Sequence, residues 1–251
     1  MVGVLREQIE VAPGPEVESL VALSQRLWQE SCKPVSIAAD PLDALVYGLL
    51  VSRTSPTTAR AAYARLRNRF PGWAALGDAS IGEIVETIKA TGFAQQRAVF
   101  IQKLVVRVQG DFPNGRYQSL FEWDDVAVES YLTSLPGVGT LIAHQVMLDT
   151  LDRPIVPLTQ PIVRLISRLG MVYSLTQLER SLRTVARRLP SEQRRQFHSD
   201  LLNHAQDVCR PRFPRCGKCR LTDLCSYYRQ HRNDRSWLPR ALDTSTEPPR
   251  S

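Results

Sequence analysis

From Cys209 to Cys225 the chain reads CRPRFPRCGKCRLTDLC, four cysteines in the spacing C-x6-C-x2-C-x5-C. So short a stretch can close around one metal centre without help from the rest of the chain. Thiolates ligate zinc and iron–sulfur clusters alike. In a chain with no secretion signal, such a set reads as a metal site before it reads as disulfides. On spacing alone the two metals stand level, because zinc ribbons usually carry two short C-x2-4-C knuckles and this stretch has one. Arg and Pro crowd the intervening loop, which argues against four unrelated buried thiols. The fifth cysteine, Cys32, stands apart and reads as a buried thiol.

Outward from this loop, composition sets the bounds. The 251 residues can hold one large domain or two small ones. Hydrophobic residues make up 43% and charged residues 23%, the balance of an ordinary globular protein. The longest apolar run, Ala44 to Val51, is too short to span a bilayer, and no signal-peptide pattern opens the sequence. The expectation is an intracellular, cytoplasmic protein with no membrane partner, associated with the nucleoid if the source is bacterial. The formal charge is +7, unevenly placed. Gln160 to Ser251 carries eighteen Lys and Arg against eight Asp and Glu, a balance of +10. Such a basic half suits a polyanion, nucleic acid first and an acidic membrane surface second.

Helical periodicity dominates and no alternating strand pattern appears, so the fold class is all-α. Asp40-Pro41 and Ser55-Pro56 each place an N-cap before a proline at the first helical position. The first opens a nearly all-apolar helix through Leu50, and the second a helix to Arg69 that Phe70-Pro71-Gly72 stops. Ser80 with Glu83 forms a capping box for Ile81 to Lys89. Further helices are predicted over 16–29, 95–109, 124–134, 140–150, 160–169, 175–189 and 191–208. Between two of them stands Leu135-Pro136-Gly137-Val138-Gly139. Its glycines allow a tight turn whose N–H groups, at the positive end of the next helix, form an anion nest. Leu135 and Val138 should plug that turn into the core.

The LPGVG hairpin, the helices after it and the four-cysteine spacing together resemble the endonuclease III family of base-excision DNA glycosylases. The resemblance runs from about Pro41 to Cys225. Leu49-Leu50-Val51-Ser52-Arg53-Thr54 is similar to the family's LLSxQ(T) segment. Gly92-Phe93 with Arg97-Ala98 is similar to its G-x-x-x-x-K-A segment. The resemblance implies a 4Fe–4S cluster on Cys209, Cys216, Cys219 and Cys225. It also implies two lobes: residues 36–154 carrying the helix-hairpin-helix, and a cluster lobe of 1–35 with 155–228. A groove between them would take double-stranded DNA, and 229–251 would be a flexible tail. A monomer is expected. DNA contacts would come from Gly137, Val138, Gly139 and Thr140, and from Arg210, Arg212 and Arg215 in the cysteine loop.

The family's chemistry supplies a sharper test. A lysine two residues past the hairpin attacks the sugar, and a later aspartate assists departure of the base. The matching positions here hold Leu141 and Thr159. Leu141 cannot form an imine, and Thr159 brings no charge to an oxocarbenium-like sugar. Thr159 before Gln160-Pro161 is instead a good N-cap. His144, one turn beyond Leu141, is the best-placed substitute, although a structural histidine is the commoner case. Arg53 occupies the place of the family's gap-filling glutamine, and Phe93 a neighbouring wedge position where core packing is an equal reading. The sequence therefore points to a protein that recognises damaged or abasic duplex, with glycosylase and lyase activity lost or very weak. Two alternatives stand beside it. One is an active glycosylase on oxidised pyrimidines with relocated catalytic groups. The other is a redox-sensing or partner-recruiting scaffold.

Overall fold

The computed structural model describes residues 14–28 and 40–232, and every regular element among them is helical. Cys32, Lys33 and residues 233–251 lie outside the described residues. The chain divides into two compact units, with breaks after Lys33 and after Pro157. In chain order, α1 (Pro15–Trp28) comes first. The unit from Pro34 to Pro157 then holds α2 (Pro41–Val51), α3 (Pro56–Arg69), α4 (Trp73–Gly77), α5 (Ile81–Ile88), α6 (Ala94–Asp111), α7 (Gln118–Glu122), α8 (Asp125–Ser134) and α9 (Thr140–Asp149). Finally, α10 (Gln160–Leu169), α11 (Leu175–Arg188), α12 (Ser191–Asp207) and α13 (Ser226–His231) join α1 in the other unit.

The central unit is organised by α2, which packs on α3, α6 and α9. Its burial of Leu42, Leu45, Val46, Leu49 and Leu50 follows from a run with no polar face. The Asp40 carboxylate accepts from the Leu42 and Asp43 N–H groups at 2.7 and 3.3 Å, so the helix starts where the cap and proline dictate. The capping box before α5 is complete: Ser80 Oγ accepts from Glu83 N, and the Glu83 carboxylate accepts from Ser80 N. The longest helix, α6, buries Ala98, Ile101, Leu104, Val105 and Val108 against α2, α4 and α5. In the other unit, α1 lies on α11 and α12, and α10 on α12 and α13.

Three short helices, α4, α7 and α13, were not expected, because five or six residues are too few to show a helical period. Of the tail expected to be flexible from 229, Arg229, Gln230 and His231 instead continue α13, and 233–251 lie outside the described residues. That helix is capped by the last cysteine, Cys225 Sγ accepting from Tyr228 N at 3.4 Å. No described helix is long and apolar enough to cross a membrane.

Candidate functional site

The hairpin joining α8 to α9 is held from below. Leu135 and Val138 are buried, as their place in the turn requires. Gly137 sits at φ +77°, and a Cβ there would come within 2.9 Å of Phe100 Cγ and 3.1 Å of Leu49 Cδ2. Only glycine fits both the backbone and the space. At Gly139, the N-cap of α9, a Cβ would meet nothing within 4 Å, so that side of the turn is open. No side chain caps α9. Its first amides, from Thr140 on, are thus left for a ligand or water, at the end of a helix that favours negative charge.

A second feature of the same unit joins the end of α2 to the start of α6. Arg53 and Phe93 both adopt left-handed backbone, at φ 55° and 47°. Each such residue costs about 1–3 kcal/mol and persists only where its surroundings over-determine it. Two contacts do so. Thr54 Oγ1 donates to the Thr91 carbonyl at 2.9 Å, tying the two turns together. Arg97, itself buried, donates from its two terminal guanidinium nitrogens, Nη1 and Nη2, to the carbonyls of Leu50 and Ser52 at the C-terminal end of α2. Burial holds this guanidinium below the usual arginine range, while the negative end of the helix dipole favours it. Arg53 is exposed and Phe93 is 68% exposed. The core-packing reading of Phe93 is therefore overturned: its ring faces solvent.

The family's catalytic positions hold no chemistry of that kind. Leu141, the second residue of α9, is 47% exposed and carries no titratable group. Thr159 is the N-cap of α10, its Oγ1 accepting from Ile162 N at 3.5 Å. His144 is largely buried, with Nε2 3.0 Å from Glu129 Oε1 on α8 but in no hydrogen bond among the described residues. Asp149, also on α9, accepts from Gln145. Among the described residues the lysines are Lys89, Lys103 and Lys218, and none stands on α9 or α10.

In the other unit the four cysteines are free of disulfides and line one small cavity, with Leu165, Leu169, Val208 and Pro214 as apolar wall. Polar groups point at the sulfurs. Leu221 N donates to Cys219 Sγ at 3.4 Å, His204 Nε2 lies 3.4 Å from the same sulfur, and Arg168 Nη1 lies 3.5 Å from Cys209 Sγ. Burial, and secondarily the other three cysteines, push the Cys219 thiol up to about 11. A set of thiolates here needs a cationic centre to hold them. Among the described residues no three His, Cys, Asp or Glu side chains gather closely enough to hold one metal ion. The four sulfurs line the same cavity and make up the donor set of a thiolate-bound centre, zinc or iron–sulfur.

Two arginines of α10, one helical turn apart, fasten the start of this loop. Arg164 donates to the carbonyls of Cys209 and Ala205 at 3.1 and 2.7 Å. Arg168 donates to those of Arg210 and Pro211 at 2.7 and 3.0 Å. Arg212 and Arg215 are exposed and Arg210 is half-buried. Sequence reasoning missed Arg97 as a clamp and Arg168 as an anchor. The available signals were a lone arginine in the apolar period of α6 and the i, i+4 arginine pair on α10.

No family profile matches the chain. The thymine/uracil-DNA glycosylase of Pyrobaculum aerophilum is 30% identical over 216 residues, 82% of this chain and 88% of that protein. The chain belongs to the endonuclease III family of helix-hairpin-helix DNA glycosylases. An endonuclease III of Sulfolobus acidocaldarius is 30% identical over 150 residues, 60% of this chain and 65% of that one. The fold agrees with this membership: a solved endonuclease III–DNA complex superimposes with a TM-score of 0.69 at 20% identity, covering 86% of this chain and 98% of the other. As an endonuclease III-family protein it is a divergent one, with Leu141 and Thr159 where the family's lysine and aspartate stand.

Proposed function

We propose that this endonuclease III-family protein binds duplex DNA and singles out damaged or abasic sites without excising the base or cutting the strand. The observation that carries the reading is Leu141. It sits half in solvent on the first turn of α9, beside uncapped amides suited to a phosphate, and brings no amine to the sugar. The Val138 N–H, expected among the phosphate donors, instead donates to the Leu135 carbonyl at 3.1 Å and closes the turn. Phosphates would be held by the amides of Gly137, Gly139 and Thr140 and by Arg210, Arg212 and Arg215. These contacts position DNA and carry no sequence information. Arg53 would fill the space left by a missing or displaced nucleotide, stacking on its neighbours and donating to the orphaned base, while Phe93 parts the step. His144 is largely buried between α8 and α9 beside Glu129, which supports a structural role over a relocated catalytic one.

Cys209, Cys216, Cys219 and Cys225 would hold a 4Fe–4S cluster, which supplies a fixed node for the loop and a redox-active centre. Around it, Arg168 and the Leu221 amide offset the negative charge of the sulfurs, and Arg164 sets the loop's first residue.

One experiment tests the whole reading: incubation with abasic and intact duplexes, scoring cleavage, borohydride trapping and competition binding together. The expected result is no strand cleavage, no covalent adduct and tighter binding to the abasic duplex. An unstacked site is easier to open than a sound pair. Robust trapping would send the search to the lysines and the N-terminal amine, and equal affinity for the two duplexes would remove damage recognition.

A further inference from the structure

The cysteine loop carries a side chain for which DNA contact through phosphates gives no reason. Phe213 lies between Arg212 and Pro214, adopts left-handed backbone at φ 53°, and leaves 59% of its surface exposed. An apolar refuge is close by. Pro214, its neighbour, is buried in the wall of the cysteine cavity with Leu165, Leu169 and Val208, yet Phe213 is not among the residues lining that cavity.

The loop is built to present this residue. Arg210 N and Arg215 N both donate to the Val208 carbonyl, at 3.0 and 2.9 Å, closing its base. Arg168 holds the rising limb through the carbonyls of Arg210 and Pro211, and its guanidinium lies 4.7 Å over the Tyr227 ring. Arg212 and Phe213 form the apex left standing on these anchored limbs. Around it the side chains of Arg212, Arg215 and Lys218 are exposed, and the sequence has no acidic residue between Asp207 and Asp223.

An exposed aromatic ring in a cationic field matches a polyanion that also offers a flat apolar face. Nucleobases have that face, but in intact duplex it is covered by the neighbouring pairs. A ring at a loop apex finds it only where the stack is interrupted and a base is unpaired. We propose that Phe213, flanked by Arg212 and Arg215, is a stacking site for an unpaired nucleobase, so that the protein favours DNA in which a gap or single-stranded stretch adjoins duplex. The proposal rests on the reading of the chain as a DNA-binding protein and adds a second, base-contacting point in the unit that lacks Arg53 and Phe93. Because every base has a π-face, the site should be indifferent to sequence.

The test compares the full-length protein with Phe213→Ala, Phe213→Trp and Phe213→Leu. The DNAs are an intact duplex, the same duplex with a short gap, and the gapped form with 2-aminopurine in its unpaired stretch. Wild type should bind the gapped duplex about fivefold or more tightly than the intact one and quench the 2-aminopurine. Phe213→Ala should lose both effects while keeping its affinity for intact duplex. Phe213→Trp should keep them, and Phe213→Leu, apolar but without a ring, should fall between. Preference and quenching that survive Phe213→Ala would overturn the proposal. So would binding to phosphatidylserine vesicles that Phe213→Ala abolishes while gapped DNA is bound unchanged. Retention of abasic-site binding with no gain for gapped DNA would remove this site alone, whereas loss of all DNA binding would remove the proposed function with it.

Discussion

Arg97→Met removes the buried side chain that, together with the Thr54–Thr91 bond, holds the end of α2 against the start of α6. Its guanidinium makes two charge-assisted hydrogen bonds, and such bonds contribute about 1.5–3 kcal/mol each. The two acceptors differ in what happens next. Ser52 is exposed, so water can replace the arginine at its carbonyl, whereas Leu50 is fully buried. The expected loss of stability is therefore about 2–4 kcal/mol rather than the full sum, a fall in Tm of roughly 5–15 °C for a chain of this size. The effect on binding is separate. Once the clamp is gone, DNA binding must itself impose the left-handed turn at Arg53, at about 1–3 kcal/mol. Since about 1.4 kcal/mol is tenfold in an equilibrium constant, the preference for abasic over intact duplex should drop by roughly tenfold. Thermal melting and competition binding at fixed salt measure the two quantities independently. Arg97→Lys, which retains the charge and can reach one carbonyl at a time, should recover part of each. A protein that melts early but keeps its full lesion preference would refute the link between this clamp and damage recognition.

Purified protein should be brown with about four irons per chain, and Cys216→Ser should lose the colour and weaken duplex binding; one zinc and no iron by metal analysis would reject the cluster. Gly137→Ala should cost about 2 kcal/mol or more and impair duplex binding, because the new methyl meets Phe100 and the backbone stays left-handed. Gly139→Ala, in open space, should leave the melting temperature nearly unchanged, and equal destabilisation by the two would contradict the packing described. Burial pushes His198 down to about 4, with no hydrogen-bond partner on Nε2 among the described residues. The unfolded chain then binds a proton that the folded chain refuses between about pH 6.5 and 4, so stability should fall by about 3 kcal/mol as pH drops through that window. His198→Leu should flatten the dependence, as urea titrations at each pH would register.

Much of this was legible because it rests on local chemistry. Asp40-Pro41, Ser55-Pro56 and the Ser80–Glu83 box announce helix starts through side chains that satisfy orphan amides, and α2, α3 and α5 begin where they say. Leu135 and Val138 are buried because a turn between two packed helices leaves them nowhere else to go. What stayed hidden depends on contacts distant in sequence. Arg53 and Phe93 are not residue types that signal left-handed backbone, and only the Thr54–Thr91 bond and the Arg97 clamp make it tolerable. Phe93 could not be placed from its neighbours, since an aromatic residue serves a core as readily as a surface. Short helices such as α13 escape because one turn has no period, and this one takes its cap from a cysteine already assigned to metal.

The close approach at Gly137 has a mechanical meaning. To part a base step, a wedge must push, and something must hold the strand while it does. Here the hairpin that would hold the backbone leans on Leu49 of α2 and Phe100 of α6. The turns that carry Arg53 and Phe93 are the far end of α2 and the near end of α6. Lever and fulcrum would thus rest on the same two helices. Thrust and reaction close inside one block of side chains, with no joint between them to give way.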